Sequence, residues 1–551
     1  MNKIILKHAL LNAIQYEGQA DVKAVVGKIF GENPDFKKNM KKTMEEVNDM
    51  ITEVNSWNLK KQKEKLKEMG IEVEKKSKED KHKLPELPNA TLGKVVTAFP
   101  PEPSKYPHIG HAKAAYMNYL YAKKYNGKFL LRFEDTNPKL VKKEYYDAIV
   151  DGLKWLGIEW DGKIEYITDH IEEYYEATEK LIKENKAYIC FCKSEDISKH
   201  RREMAECSCR SKPIKENMDD WKKMLSGEIK EGEASVRLKI SMKHKNAVMR
   251  DPSIMRIIDH PHVRAGNKYK VWPMYDFGTS LMDSWMGVTH RIRSKEFEMR
   301  KELQTFIQKT LNLSITEISE IARFNLEGVE SSGRKIREMI DTGQLLGWDD
   351  PRLTTLMSLK RRGFQPEAIK EFLVATGVSK TESTIEWNKF ESFNKKVIEP
   401  IANRYFAVFD PICINVTGCP KTTQAKETLH PDHPERGARI IPVNTNKIYV
   451  TKEDFEKFQG KKVRLIGLFN VNLNEDAKYL GNEIIQEMPK IQWVSEENIH
   501  VEILMDDGSI KKGIVEPEVL RLNIGDIIQF MRFGFVRLDD KKRMKFYFTH
   551  K

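Results

Sequence analysis

Neither of the common glycine-rich phosphate cradles, GxxxxGK[ST] and GxGxxG, occurs in this chain. Cysteine is scarce: six in 551 residues cannot make a disulfide framework, and such sparing use fits a reducing cytoplasm. No apolar run approaches the ~18 residues of a transmembrane helix, so no membrane span is expected. The N-terminal segment MNKIILKHALLNAIQYEG has a lysine and a histidine inside its apolar stretch and no small-residue cleavage site, which argues against a signal peptide. No internal repeat is evident. Charge of neither sign dominates: 94 Lys and Arg against 82 Asp and Glu leave +12, which permits a nucleic-acid partner without requiring one. What is present is apolar material, 40% hydrophobic with 9% aromatic, enough for several cores and too much for a disordered chain. At ~150 residues per domain the length suggests about three to four domains.

The first 70 or so residues read as helices. Val22, Val25, Val26, Ile29 and Phe30 share a face, and Met40, Met44, Val47, Ile51 and Val54 recur at helical spacing. Residues 74–90 are charged and then proline-punctuated, and are expected to be a linker behind a helical appendage. From Lys94 the pattern becomes strand (KVVTAF), helix (about Ile109 to Tyr125) and strand (KFLLRF, 128–133), a βαβ unit with parallel strands and a right-handed crossover. A cysteine-bearing stretch, a second strand-and-helix region from about Val271 to Leu311, and arginine-rich helices to about residue 395 follow. After Pro400, short strands recur between turn residues, as in antiparallel β-barrels.

The first βα connection reads FPPEPSKYPHIGHAKAAY (99–116). His108 and His111 flank Ile109-Gly110 where the helix begins, so both imidazoles belong to one turn at a helix N-terminus, a setting that suits a phosphate chain gaining negative charge. Gly110 would let a flat ring approach the backbone. The competing reading, two surface histidines on an ordinary helix, fits a lone HxxH better than P-x-x-H-I-G-H after a β-run. The second strand ends in RFEDTNP, which would aim Glu134 and Asp135 at the same crevice, to hold an ammonium or help position magnesium; a helix cap or turn before Pro138 is the alternative for Asp135. Cys190, Cys192, Cys207 and Cys209 form two close C-x-C pairs that can furnish tetrahedral zinc coordination, or stand as four reduced thiols in a compact loop.

FPPEPS…HIGHAKAA, LLRFEDTNP, YDF…D…GVTH and GWDDPRL together resemble class I aminoacyl-tRNA synthetases, specifically the glutamyl/glutaminyl branch in its archaeal–eukaryotic form. The resemblance runs from about Val95 to the C-terminus. It implies a Rossmann-like catalytic domain in two halves (86–189 and 271–332) with an inserted acceptor-end-binding domain (190–270). A helical connector (333–399), C-terminal anticodon-binding β-barrels (400–551) and the N-terminal helical appendage (1–85) complete the expected architecture. It implies ATP with Mg²⁺, structural Zn²⁺ at the cysteines, tRNA-Glu with tRNA-Gln left open, and a protein partner for the N-terminal helices. By position, Glu102, Pro103, Ser104, His108, Gly110, His111, Lys113, Ser294 and Arg323 match ATP-binding residues, with His108 and His111 also catalytic. Glu134, Tyr275 and Arg293 match residues that hold the amino acid. Arg293 points to glutamate, because the glutaminyl enzymes carry a small uncharged residue there and a buried guanidinium can pair bidentately with a γ-carboxylate.

The chain departs from the family at Ala98, where an arginine is usual, and at Lys105 and Pro107, which replace glycine and leucine. In the second signature loop, GVESSGRKIRE (328–338), Gly333 stands where the catalytic lysine belongs. Arg334 and Lys335 are the expected substitutes, against a generic basic helix start. Arg352, Lys360, Arg361 and Arg362 are expected along the tRNA. The sequence therefore reads as an ATP-dependent glutamate–tRNA ligase, with a glutaminyl enzyme or a non-catalytic tRNA-binding paralogue as the alternatives.

Overall fold

The computed structural model describes residues 2–15, 18–32, 36, 40–69, 71, 84–330, 332–378 and 382–551. Most of the expected linker, residues 74–83, lies outside the described residues. The chain forms two compact units, Met1–Lys83 and Leu84–Lys551. In the first, the helices Asn2–Gln15, Val22–Glu32, Met40–Asn55 and Leu59–Glu68 bring Ile5, Leu10, Val25, Ile29, Val47, Ile51, Val54 and Leu66 into one core. The apolar spacing of the second and third helices is the cause, although Met40 at the third helix's start stays exposed. The buried Gln62 amide donates to the carbonyls of Gly18, Val54 and Trp57, satisfying backbone at the helix ends.

In the larger unit, Val96–Phe99 and Lys128–Phe133 pair in parallel with Val96 opposite Lys128, and Ile109–Lys124 is the crossover helix. Glu165–Tyr166 extends the sheet in parallel beyond the second strand. On its other side the Val96 peptide group bonds Thr289, leading into the parallel pair His290–Ser294 and Glu317–Ile321. Parallel strands finish at a common edge, so Phe99, Phe133 and Ser294 open onto one crevice. Residues 84–90 correct the linker expectation: Leu87 is buried, its N–H bonds the Tyr125 hydroxyl, and Lys124 donates to the Leu84 carbonyl.

Between the two halves of this sheet sits an antiparallel sheet of Ala187–Cys190, Ser235–Leu238, Ser253–Ile257 and Val271–Pro273, cored by Trp221 and Trp272. The helices Gly333–Asp341, Leu356–Arg362, Pro366–Thr376 and Trp387–Ile398 then lead to two seven-stranded sheets. Each sheet begins and ends on neighbouring chain: the edge strands are Asn403–Tyr405 and Ala407–Phe409 in one, Lys490–Ile491 and Val494–Ser495 in the other. Edges so tethered, near one another in the chain, make each sheet curl towards closure. Pairing is mainly antiparallel, with parallel contacts such as Ile503 opposite Phe546. No described helix is long and apolar enough to cross a membrane.

Candidate active site

The strand ends and the 109–124 helix enclose a cavity of about 1100 Å³. His108 is the N-cap of that helix: its Nδ1 accepts from the Gly110 N–H at 3.0 Å, while the His108 N–H donates to His111 Nδ1 at 3.2 Å. The two rings lie 4.0 Å apart between centroids. Burial holds His108 down to about 3 and His111 well below the usual imidazole range, so both rings are neutral at pH 7. With each Nδ1 accepting, the proton of each neutral ring sits on Nε2, giving two uncharged donors beside the helix N-terminus. Gly110 lines the cavity and also has a reason within the turn itself. A Cβ there would lie 2.8 Å from His108 Cε1, so the glycine makes room for the histidine ring.

The loop is fixed from a distance. Ile109 N–H donates to the Thr354 carbonyl at 3.0 Å and Leu356 N–H to the Pro107 carbonyl at 2.9 Å. Thr354, which nothing in the sequence singles out, thereby lines the cavity.

Glu102, Ser104, Lys113, Ser294 and Arg323 also line this cavity, whereas Pro103 does not. Burial lowers Lys113 to about 8, and its Nζ donates to the Ala322 carbonyl over the Phe324 ring. The Ser294 hydroxyl is buried without a hydrogen-bond partner, an orphan that an incoming polar ligand would satisfy.

At the other end, Glu134, Tyr275 and Arg293 are in the wall. Burial pushes the Glu134 carboxyl up against the pull of Arg132, which reaches it at 3.0 Å. Arg293 is buried; it donates to Gln304 Oε1 at 2.7 Å and to the Phe297 carbonyl at 2.9 Å, with its Nε unpartnered. Asp135 corrects the expectation that both carboxylates face the crevice. Its side chain turns away and accepts from Tyr146, the Thr168 N–H and the Thr168 hydroxyl, which leaves it a structural role. Ala98 is fully buried and off the wall, so the arginines of this end are Arg291, Arg293 and Arg300.

Arg334 and Lys335 are exposed at the start of the 333–341 helix and do not line the cavity; Lys335 pairs with Glu330 at 3.3 Å. The expected basic track also narrows. Arg362 is buried and donates to the Pro351 and Thr549 carbonyls, Arg361 is engaged by Asp349 and Asp539, and Arg352 forks onto Asp350. Arg361 and Arg362 hold the connector against the barrel, Arg352 braces the connector itself, and of the four only Lys360 is freely exposed.

The cysteines converge. The Sγ atoms of Cys190, Cys192, Cys207 and Cys209 lie within 4.8 Å of one another, with Cys190 and Cys207 3.8 Å apart. Zn–S bonds of ~2.3 Å in a tetrahedron require Sγ atoms ~3.8 Å apart, so the donor set fits zinc.

A family profile for tRNA synthetases class I (E and Q), catalytic domain, matches residues 94–400. The chain belongs to this family. Its anti-codon binding domain profiles match residues 402–489 and 490–539, the region of the two curled sheets. Relatives named glutamate–tRNA ligase match along the whole length. That of Pyrococcus furiosus is 42% identical over 98% of this chain and 97% of its own. That of Thermococcus onnurineus is 40% identical over 100% of both, and that of Pyrococcus abyssi 42% identical over 98% and 97%. The cavity is thus built from residues of the segment that matches the class I catalytic domain, 94–400.

Proposed function

We propose that this chain is a glutamate–tRNA ligase. It activates L-glutamate with ATP, brought as its Mg²⁺ complex, to glutamyl-adenylate and pyrophosphate, then transfers glutamate to the 3′ end of tRNA-Glu with release of AMP. The observation that carries the choice of glutamate is Arg293, a buried guanidinium in the wall beside Glu134 and Tyr275. A γ-carboxylate can pair directly with that guanidinium, whose carboxylate neighbour Glu320 stands off at 4.0 Å, and an amide cannot. In this reading Glu134 takes the ammonium, and Tyr275 packs on the side chain. The nucleotide lies along Glu102, Ser104, Gly110 and Ser294, with the His108 and His111 donors on its phosphates. The four cysteines hold a structural zinc in the inserted domain, and the N-terminal helices offer a surface to a protein partner. The cytoplasm, where tRNA and reduced thiols coexist, is the compartment this requires.

The test is aminoacylation with labelled glutamate and glutamine, each against separately prepared tRNA-Glu and tRNA-Gln. Glutamyl-tRNA-Glu is the expected product, and the same assay reads whether tRNA-Gln also accepts glutamate. Glutaminyl-tRNA as the product, or tRNA binding without any product, would overturn the reading.

A further inference from the structure

We propose that Lys105 is a phosphate-binding residue of the activation step, supplying from the loop before the 109–124 helix the cation that Gly333 lacks. The proposal rests on the ligase reading above. Its basis is that Lys105 lies across Gly333. A Cβ built on Gly333 would sit 3.2 Å from Lys105 Cδ and 3.8 Å from Lys105 Cβ, so the lysine stem covers the bare α-carbon and occupies the space a side chain at 333 would take. Both Lys105 and Ser332, next to Gly333, line the cavity that holds the histidine pair.

Most other cations nearby are committed elsewhere or lie off the wall, as does Arg337, whose Nη1 is 4.0 Å from the same Cβ position. Arg323 pairs with Glu296 at 2.5 Å, and Lys113 donates to the Ala322 carbonyl. Arg334 and Lys335 are outside the wall. Among the described residues, Lys105 and Arg256 are the wall cations without a hydrogen bond or ion pair. Of these two, Lys105 is the one whose charge bears on both His108 and His111. Burial also lowers its proton affinity, a sign of a partly desolvated ammonium whose contacts with anions are strengthened.

The chemistry asks for a cation here. A glutamate carboxylate oxygen attacks the α-phosphorus and forms the O–P bond. The bond to the bridging oxygen breaks, and its electron pair leaves on pyrophosphate. Negative charge grows on the departing phosphates, and Lys105 neutralises it beside the two Nε2–H donors. No proton transfer by the lysine is required.

Glutamate-dependent ATP–pyrophosphate exchange, with tRNA present, tests this on the full chain. Lys105→Met keeps the stem over Gly333 and removes the charge; it should lower kcat about 10²-fold with little change in the glutamate KM. Lys105→Arg should restore most of the loss. The double variant Lys105→Gly with Gly333→Lys, which returns a lysine from the opposite loop, should exceed Lys105→Gly alone. A Lys105→Met enzyme within about threefold of the parent kcat, or one equal to Lys105→Arg, would overturn the proposal. ATP is titrated onto the parent and Lys105→Met in parallel. If the parent favours glutamine, the ligase reading fails while weakened ATP binding by Lys105→Met still supports Lys105; unchanged ATP affinity together with unchanged exchange refutes it.

Discussion

Arg132 and Asp283 meet at 2.8 Å with both side chains fully buried, tying the end of the 128–133 strand to the 275–285 helix. Asp283 also faces Arg291 at 2.8 Å, and Arg132 carries Glu134 on its other nitrogen. One carboxylate thus compensates two buried guanidiniums and sets where Glu134 stands. Replacing Asp283 by alanine leaves Arg291 without a carboxylate and Arg132 with Glu134 alone in a low-dielectric interior. The expected loss is about 3–5 kcal/mol of stability, read by denaturant unfolding. Asp283→Asn, which keeps shape and one acceptor, should fall between the parent and the alanine variant.

This pairing shows where the sequence stops being legible. KFLLRF gives the 128–133 strand residue for residue, and the 108–111 turn is placed by four consecutive positions, because both are local patterns. The Arg132 partner is 151 positions away, and nothing in RFEDTNP announces it. Thr354 holds the histidine turn through backbone bonds that carry no side-chain signature. Asp135 and Arg362 mislead for the same reason: charge in a motif suggests a ligand, but burial and long-range partners decide whether it reaches one. The barrel strands were readable from their composition, while closure depended on chain neighbours 403–409 and 490–495 reaching opposite sheet edges.

Arg293 should control which amino acid is used. Two charge-assisted hydrogen bonds to a γ-carboxylate are worth ~3 kcal/mol or more, so Arg293→Gln should lower kcat/KM for glutamate by about 10²-fold or more. Discrimination against glutamine should shrink in the same variant. Arg293→Lys keeps the charge without the fork and should recover only part of the activity. Steady-state aminoacylation measures each, and thermal unfolding checks that losing the Gln304 and Phe297 contacts has not opened the fold.

His108 predicts an acid-side weakness. Its folded pKa, about 3, lies below the ordinary 6.5 because burial and the nearby charges of Lys105 and Arg323 disfavour the imidazolium. Below pH 6.5 the unfolded chain takes up this proton and the folded chain does not. Stability from this group is therefore present above 6.5 and lost as pH falls towards 3, at up to ~1.4 kcal/mol per pH unit. His108→Gln should flatten the stability profile between about pH 6.5 and pH 5 relative to the parent. A profile with the same slope in both proteins would contradict the neutral, buried state.

The cysteine cluster makes a prediction about composition. If the four Sγ atoms hold zinc, protein purified under reducing conditions should contain about one zinc per chain by elemental analysis. Cys209→Ser should lose it, because a hydroxyl is a poor ligand in a thiolate site, whereas Cys413→Ser, with its exposed side chain far from any second cysteine pair in sequence, should retain it. Chelation should then lower the unfolding temperature of the parent and leave that of Cys209→Ser unchanged. Arg237, buried with a guanidinium nitrogen 3.7 Å from Cys190 Sγ and 3.8 Å from Cys207 Sγ, is placed to offset the negative charge of a tetrathiolate zinc site. Its replacement by methionine should therefore weaken zinc retention without removing a ligand.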